Sequence, residues 1–183
     1  MSEPRSVRLR ALRGDDLDAL AAGDTADADS WNHFEIRPSN LLQARFAANG
    51  GIADEHGMLA VETIETVEAT LVGSVGWVEV RHGPTAACKA LNLGISILPA
   101  YRGRGYGSEA QRLLAEYLFS SRLVERLEAG TDVENLAEQR ALEKAGFHRE
   151  GVLRHAQFRG GRWRDVVLFS RLRGDGDVTP ESA

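Results

Sequence analysis

Three glycines occur within five residues in the stretch ILPAYRGRGYGSEAQRLLAEYLF, residues 97–119, where a predicted strand gives way to a predicted helix. The amides in the first turn of a helix have no intrahelical acceptor, and they lie at the positive end of the helix dipole. Such a helix start binds anions, and glycine lets the ligand approach the backbone closely. With Arg102 and Arg104 in the same turn, the stretch predicts a strand–turn–helix unit that binds a phosphate group.

Two better-known phosphate-binding motifs do not fit this stretch. A Walker loop ends in Gly-Lys followed by Ser or Thr, and that triplet does not occur in the chain. A dinucleotide-binding G-x-G-x-x-G motif would begin at Gly103 and Gly105, but Ser108 stands at its third glycine position. That motif also follows the first strand of a βαβ unit, whereas this loop follows the fourth predicted strand.

Apolar periodicity and turn residues predict the order β-α-α-β-β-β-α-β-α-β-β, a mixed α/β sheet. Strands are predicted over residues 7–12, 58–65, 69–80, 90–98 and 126–132 and in a hairpin over 152–172, and helices over 14–24, 38–49, 108–120 and 135–146. The strand over 90–98 is almost continuously apolar, which predicts burial on both of its faces. Gly146 is expected to end the last helix, with Phe147 packing back on it.

The hairpin is expected to turn at Gly160-Gly161. This turn would pair Arg159 with Arg162, Phe158 with Trp163 and Ala156 with Asp165, and it would allow an ion pair between Arg154 and Asp165. Phe158 and Trp163 either line a binding site or stack as cross-strand aromatics. Because they stand on an arginine-rich hairpin, they also predict the centre of a homodimer interface.

Composition predicts one domain over residues 1–173, followed by a disordered tail over 174–183. The formal net charge of −5 argues against a general nucleic-acid-binding protein. The single cysteine, Cys88, excludes an internal disulfide and a cysteine-cluster metal site, and no metal site is predicted. The chain contains no long apolar run and its start lacks a signal-peptide core, so no membrane association and a cytoplasmic location are expected.

Two sequence blocks resemble one enzyme family. The pattern Arg102-x-x-Gly105-x-Gly107 is similar to the pyrophosphate loop of the GNAT acyltransferase superfamily, Arg/Gln-x-x-Gly-x-Gly/Ala. The block NLAEQRALEKAGFHREGVLRHAQFRGGRWRDVVLFSRL, residues 135–172, resembles the C-terminal half of the RimJ/RimL-like branch. The blocks stand in the expected order, and the resemblance covers roughly residues 6–173.

This resemblance implies acetyl-CoA as donor, a primary amine as acceptor and direct transfer without a covalent enzyme intermediate. It implies a GNAT-like fold in which two neighbouring parallel strands splay apart to admit the pantetheine arm, with a β-hairpin at the C-terminal end. The implied cofactor contacts are Ile97, Leu98, Arg102, Gly103, Arg104, Gly105, Tyr106, Gly107, Ser108 and Asn135. Asn135 is equally explained as the first residue of a capping box completed by Glu138.

The catalytic positions depart from the family pattern. Glu138 stands where the family often has a serine that assists the leaving thiolate. The acidic residue of the branch's Glu-Ile-Gly-Tyr pattern is missing here, where the chain has Asn92-Leu93-Gly94-Ile95. Glu79 is the nearest substitute for a base, and Glu35 is a second. These departures leave two functions open, an N-acetyltransferase and a non-catalytic acyl-CoA-binding module on the same fold.

The segment DSWNHFEIRP, residues 29–38, carries the candidate acceptor contacts Trp31, His33 and Glu35. In the family this segment commonly covers the acceptor side, although large aromatic residues can also pack into the core. A site without a certain base handles weakly basic amines best. The expected acceptor is therefore a peptide N-terminus or a small amine of low pKa.

Overall fold

The computed structural model describes residues 6–26, 31, 41–64 and 68–175. Within these residues the elements follow the predicted order of strands and helices. They are β1 (Val7–Ala11), α1 (Gly14–Ala26), α2 (Leu41–Asn49), β2 (His56–Thr63), β3 (Thr70–Arg81), β4 (Lys89–Ile97), α3 (Tyr106–Ser121), β5 (Arg126–Asp132), α4 (Leu136–Lys144), β6 (His148–Arg159) and β7 (Arg162–Leu172). The predicted mixed α/β fold is confirmed.

The strands form one seven-stranded sheet in the order β1-β2-β3-β4-β5-β7-β6. Neighbouring strands are antiparallel except β4 and β5, which run parallel. A parallel pair needs a crossover connection, and α3 supplies it here. This crossover brings the glycine-rich turn to the C-terminal end of β4, next to the only parallel pair of the described sheet.

Hydrophobic side chains pack against both faces of the sheet. Val61 and Leu59 belong to the larger core, which α3 and α4 cover with buried residues such as Leu114, Leu118 and Leu142. Ala60 points to the opposite face, because side chains alternate along a strand. There it packs with Leu17 and Leu20 of α1, and with partly buried side chains of α2. The fold is therefore a sheet between two layers of helices.

A buried ion-pair network attaches α1 to the edge of the sheet. Arg10 Nη1 and Nη2 bind the two carboxylate oxygens of Asp16 at 2.6 and 2.9 Å, and Arg10 Nε binds Glu62 at 3.0 Å. Arg8 Nε donates to Glu62 at 2.8 Å. The main-chain N–H of Arg13 also donates to Asp16 at 2.7 Å, so the third helical residue caps the start of α1.

The C-terminal hairpin turns where predicted, but its register differs from the prediction beyond three residue pairs. Arg159 pairs with Arg162 and Phe158 with Trp163, as expected, whereas the register shifts between Leu153 and Gln157. The predicted pairing of Ala156 with Asp165 is therefore wrong. So is the predicted Arg154–Asp165 ion pair, because the Asp165 carboxylate instead accepts the main-chain N–H of His155 at 2.8 Å within this bulge.

Phe158 and Trp163 form an edge-to-face pair with ring centroids 5.5 Å apart. Both rings are more than half exposed, and neither belongs to a described cavity wall. They are therefore cross-strand aromatics. The homodimer expected from them stays a prediction.

The C-terminal ends of the helices agree with the predicted ends to within two residues. Gly146 has a positive φ of 84°, and the N–H of the buried Phe147 donates to Leu142 O at 3.0 Å, so this glycine ends α4 as expected. Asp175, in the predicted tail, donates its N–H to Leu172 O at 3.1 Å. Residues 176–183 of that tail lie outside the described residues. Among the helices that are described, none is long and apolar enough to cross a membrane.

Replacing Glu62 with glutamine should lower the free energy of unfolding by about 3 kcal/mol, because breaking a buried ion pair leaves uncompensated charge. Burial alone would raise the pKa of Glu62, but the hydrogen bonds and charges of Arg10 and Arg8 together outweigh it and lower the pKa. The Arg10 hydrogen bond lowers the pKa of Asp16. A carboxyl with a lowered folded-state pKa stabilises the fold above its unfolded pKa of about 4, and this contribution is lost as pH falls further.

The measurement is urea unfolding of both proteins from pH 3 to pH 7. The difference between them should be full at neutral pH and should shrink below about pH 4. Glu116→Gln is the matched control, because Glu116 forms only an exposed pair with Arg112, worth at most about 0.5 kcal/mol. Equal stability of Glu62→Gln and this control would contradict the assigned role of the network.

Candidate functional site

The candidate site is the gap that opens between β4 and β5. The two strands pair only from Leu91 to Leu93 and from Leu127 to Ala129. Beyond that point β5 continues with β7 as partner over Gly130–Asp132, while β4 continues with β3 as far as Ile97. The divergence leaves a cleft of about 570 Å³ whose walls are the ends of β4 and β5, the start of α3 and one face of α4.

The second half of β4 is not buried on both faces, so the prediction for this strand is wrong there. Leu91 and Leu93 are buried, but Gly94 is exposed and residues 95–97 are only half-buried. The reason is the loss of β5 as a neighbour. Ile95 and Ile97 therefore line the cleft, although Ile95 also packs against the edge of the core.

The glycine-rich turn forms the floor of the cleft at the end of β4. Gly103 and Gly105 have φ angles of 75° and 82°, and a Cβ at either position would meet no atom within 4 Å. Positive φ therefore explains both glycines, and the space beside them is open. Gly105 precedes α3 as its N-cap, so the helix begins at Tyr106, two residues before the predicted start at Ser108. Gly105, Tyr106, Gly107 and Ser108 all line the cleft.

The two arginines of the turn lie on its surface. Arg102 Nε donates to the Ile97 carbonyl at 2.9 Å, and Arg104 donates to Ala100 O at 3.4 Å while its guanidinium lies 5.8 Å from the Tyr101 ring. Arg102 lines the cleft, as does Ile97. The N–H of Leu98 donates to Val72 O at 2.9 Å, and its carbonyl accepts from Tyr101.

Asn135 joins β5 to α4 beside the cleft. It is buried, its Nδ2 donates to Thr131 Oγ1 at 3.0 Å, and its Oδ1 accepts the N–H of Glu138 at 3.3 Å. This is the predicted N-cap. The second hydrogen bond of a capping box, from the main-chain N–H of Asn135 to the Glu138 carboxylate, is missing. That N–H instead donates to Asp132 O at 2.9 Å. The Glu138 carboxyl is thereby left for another partner.

That carboxyl lies in the cleft wall, near Gln111 of α3. Burial raises the pKa of Glu138 to about 7, and the nearby Gln111 amide opposes the shift. A carboxyl in this condition is about half protonated at neutral pH, so it can donate or accept a proton. Of the described residues that line the cleft, Glu138 is the only carboxylate.

Three polar residues of the site are absent from the sequence-based prediction. Arg140 and Lys144 line the cleft from α4, and Gln111 is a buried side chain of α3 near Glu138. Arg140 and Lys144 are four residues apart and therefore share one helix face. Helical spacing counted from Ala137 could have identified them, but Gln111 carries no sequence signal because its role depends on how α3 meets α4.

Trp31 also lines the cleft. The guanidinium groups of Arg159 and Arg164 lie 5.4 and 5.9 Å from its ring. Both arginines bind the fully buried carboxylate of Asp132, Arg164 through Nε at 2.7 Å. Arg159 also donates to the Trp31 carbonyl. A buried ion-pair cluster therefore holds Trp31 in place.

Three of the predicted site residues, Leu98, Arg104 and Glu79, do not line the cleft. Glu79 accepts from Arg81 Nε at 2.7 Å, opposite Leu91 in the sheet register, and it does not line the cleft. His33 and Glu35 lie outside the described residues.

A family model described as the acetyltransferase (GNAT) domain matches residues 6–148. Among curated proteins, an uncharacterized N-acetyltransferase from Bacillus licheniformis is 38% identical over 175 residues, covering 91% of this chain and 93% of its own length. A probable N-acetyltransferase from Bacillus subtilis is 35% identical over 107 residues. That match spans 58% of each chain, somewhat more than half the length of the relative.

Two solved structures share the fold at low sequence identity. A spermidine N-acetyltransferase from Vibrio cholerae, in complex with CoA and spermine, superposes with a TM-score of 0.74 at 21% identity, covering 93% of this chain and 97% of the other. The ribosomal alpha-N-protein acetyltransferase RimL, in complex with coenzyme A, gives a TM-score of 0.72 at 16% identity, covering 92% and 95%. Both therefore support the fold alone.

Proposed function

The chain belongs to the GNAT acetyltransferase family and is an N-acetyltransferase domain, and we propose that it transfers the acetyl group of acetyl-CoA directly to a primary amine. The observation that carries this proposal is one cleft that contains both a glycine-lined helix start and a titratable carboxyl. The first suits a phosphate compound, and the second suits proton transfer.

The residues of the cleft fit a cofactor that carries phosphate groups. The open space at Gly103 and Gly105 admits a ligand close to the backbone, and a hydrogen bond from an amide to a charged oxygen contributes about 1.5–3 kcal/mol net. We assign the pyrophosphate to Gly103–Ser108 with Arg102 and Arg104. Arg140 and Lys144, on the opposite wall, add positive charge for further phosphate oxygens.

The assignment of the pantetheine arm follows the divergence of the strands. Ile97 lines the cleft, and its carbonyl retains a second lone pair beside the bond to Arg102. The Leu98 amide is bonded to β3 and its carbonyl to the Tyr101 N–H, so the second lone pair of that carbonyl is the acceptor proposed for contact. Asn135 contributes by holding Thr131 and the start of α4 at the other wall.

Acetyl-CoA supplies an activated thioester, and Glu138 is proposed as the general acid that protonates the sulfur released from it. A carboxyl with a pKa near 7 holds its proton in a useful fraction of molecules at neutral pH. Its position on α4 corresponds to that of the serine expected from the family resemblance. Glu79, the other catalytic candidate, is bonded to Arg81 away from the cleft wall, which favours Glu138.

We further propose an acceptor amine of low pKa, such as a peptide N-terminus, in keeping with a RimJ/RimL-like branch. Neutralising a lysine-like amine at pH 7 costs about 4.6 kcal/mol, but an α-amine costs only about 1–1.4 kcal/mol. The described cleft residues include one carboxylate and three basic side chains, which is a poor environment for a polycation such as spermidine. The name of RimL supports this choice, whereas that of the Vibrio protein supports a polyamine.

The acceptor is proposed to contact Trp31, with His33 and Glu35 in the same segment of the chain. Of these three residues, the structure describes only Trp31. Its ring lines the cleft and lies against the guanidinium groups of two arginines. Because Asp132 fixes those arginines, the ring presents a rigid apolar wall. A rigid wall binds an acceptor with little loss of conformational entropy.

Replacing Gly107 with glutamate should weaken CoA binding by about 100-fold or more. A Cβ at Gly107 meets Ile95 and Ile97 at ordinary contact distances, so the fold should survive while the carboxylate repels the pyrophosphate. Ser120→Glu is the matched control, because it adds the same charge to an exposed position of α3, about 20 Å along the helix. Isothermal titration with CoA measures both, and equal affinity in the two variants would defeat the loop assignment.

Replacing Glu138 with glutamine should lower kcat about 100-fold with little change in the KM for acetyl-CoA. In the wild type, the acid-dependent part of kcat should decline as pH rises through about 7, because the carboxyl loses its proton. Glu143→Gln is the control on the exposed side of the same helix. A kcat that instead declines below pH 7 would identify Glu138 as a base, and CoA binding without CoA release in the wild type would favour the non-catalytic module.

Acceptor preference is measured as kcat/KM at pH 7 for three substrates: an α-amine peptide, an N-terminally blocked lysine peptide and spermidine. The α-amine peptide should react at least about tenfold faster than the lysine peptide. Faster reaction of either other substrate would overturn the preference.

Trp31→Ala, in the same assay, should raise the KM for the acceptor and leave that for acetyl-CoA unchanged. If the variant loses only thermal stability, the acceptor contact is wrong.

A further inference from the structure

One buried carboxylate oxygen binds two arginines beside the cleft. Asp132 Oδ2 accepts hydrogen bonds from Arg159 Nη2 and from Arg164 Nε, the latter at 2.7 Å. Its Oδ1 accepts the main-chain N–H of Glu134 at 2.8 Å. Asp132 therefore supplies one negative charge to two positive ones. The side chains of these arginines are only 9% and 11% exposed, and a covered charge is unfavourable unless an opposite charge compensates it.

The second acidic group of this cluster compensates the arginines only in part. Glu134 Oε2 accepts from Arg164 Nη2 at 2.8 Å, but the Glu134 side chain is 59% exposed, and an exposed ion pair is weak. Arg162 adds a third positive charge, 3.9 Å from the same oxygen. Three arginines and two carboxylates leave one positive charge in excess at this end of the hairpin. We call these five residues the arginine cluster.

The arginine cluster lies beside the residue that is proposed to contact the acceptor. The guanidinium groups of Arg159 and Arg164 are 5.4 and 5.9 Å from the centre of the Trp31 ring, and Trp31 lines the cleft. Among the described residues, neither Arg159 Nε nor Arg164 Nη1 has a hydrogen-bond acceptor. Both groups are donors that can bind a carboxylate of another molecule.

We propose that the arginine cluster recognises a negatively charged group of the acceptor, so that the preferred substrate is a peptide N-terminus followed by acidic side chains. This inference rests on the proposed function, since it concerns the acceptor of that reaction. A carboxylate of the peptide would form charge-assisted hydrogen bonds with the guanidinium groups and would compensate their excess charge. A lysine side chain at the same place would meet like charges, which oppose its binding.

The first test compares three peptides with a free α-amine and an amidated C-terminus: Ala-Glu-Glu-Ala, Ala-Gln-Gln-Ala and Ala-Lys-Lys-Ala. At pH 7 and low salt, kcat/KM should be about tenfold higher for the glutamate peptide than for the glutamine peptide. It should be lowest for the lysine peptide. In about 1 M salt the three values should converge, because the screening length falls to about 3 Å.

The second test changes the charge of the cluster at its two exposed positions. Arg162→Gln removes a positive charge and should lower the ratio of kcat/KM for the glutamate peptide to that for the glutamine peptide about threefold. Glu134→Gln removes a negative charge and should raise this ratio about threefold. Both variants keep the bonds of Asp132 to Arg159 and Arg164, because the Glu134 bond to Asp132 comes from the main chain.

Arg149→Gln and Glu143→Gln are the matched controls. Both residues are exposed, and Arg149 pairs with Phe169 at the opposite end of the hairpin. Each control makes the same change of charge as one of the cluster variants. The ratio for the two peptides should stay within about 1.5-fold of the wild-type value in both controls.

Binding without reaction separates this inference from the proposed function. The CoA-loaded protein is titrated with des-amino forms of the glutamate and glutamine peptides, which cannot be acetylated. Tighter binding of the des-amino glutamate peptide supports the inference, even if no peptide is acetylated and the proposed function fails. Equal affinity for the two overturns the inference, even if all three amine peptides are acetylated. A preference that Arg162→Gln and Glu134→Gln leave unchanged also overturns it.

Discussion

The parallel contact between β4 and β5 ends after three residue pairs, and the whole site depends on that ending. Beyond it, β5 is held by β7 and β4 by β3, so each strand keeps one neighbour and gives up the other. Backbone groups along the inner edges lose their ladder partners, and such groups must be satisfied by a ligand or by water. A molecule with amides of its own, such as the pantetheine arm, is suited to that edge.

The arrangement of charge at the end of β5 explains why the strands stay apart. Asp132 is buried at the last position of β5 and binds two arginines of β7 and β6. Breaking such a pair is strongly unfavourable, so the end of β5 stays bound to the hairpin strands β6 and β7. Six residues later, Glu138 has no ion pair within the described chain and faces the cleft. Two carboxyls at one end of the sheet thus serve different purposes, one fixing the strand and the other available for proton transfer.

The sequence predicts the element order and the glycine turn because both rest on local signals. Positive φ at Gly103 and Gly105 and the C-cap at Gly146 follow from glycine alone. The features that the sequence analysis predicted wrongly depend on contacts between residues far apart in the chain. The bulge at residues 154–156 depends on Asp165 accepting the His155 N–H, and the exposure of the second half of β4 depends on where β5 turns away. The proximity of Gln111 to Glu138 depends on how α3 meets α4.

The surroundings of the Glu138 carboxyl indicate whether the domain catalyses acetyl transfer or only binds acyl-CoA. Burying an acidic group without a basic partner is unfavourable, and a binding module gains nothing from it. A catalyst does gain, because a proton donor must hold its proton near the working pH. The cleft already contains Arg102, Arg140 and Lys144, any of which could pair with a carboxylate at a suitable distance. Instead the carboxyl forms no ion pair with them and lies near the neutral amide of Gln111, which leaves it able to exchange a proton. That combination favours the transferase over the binding module.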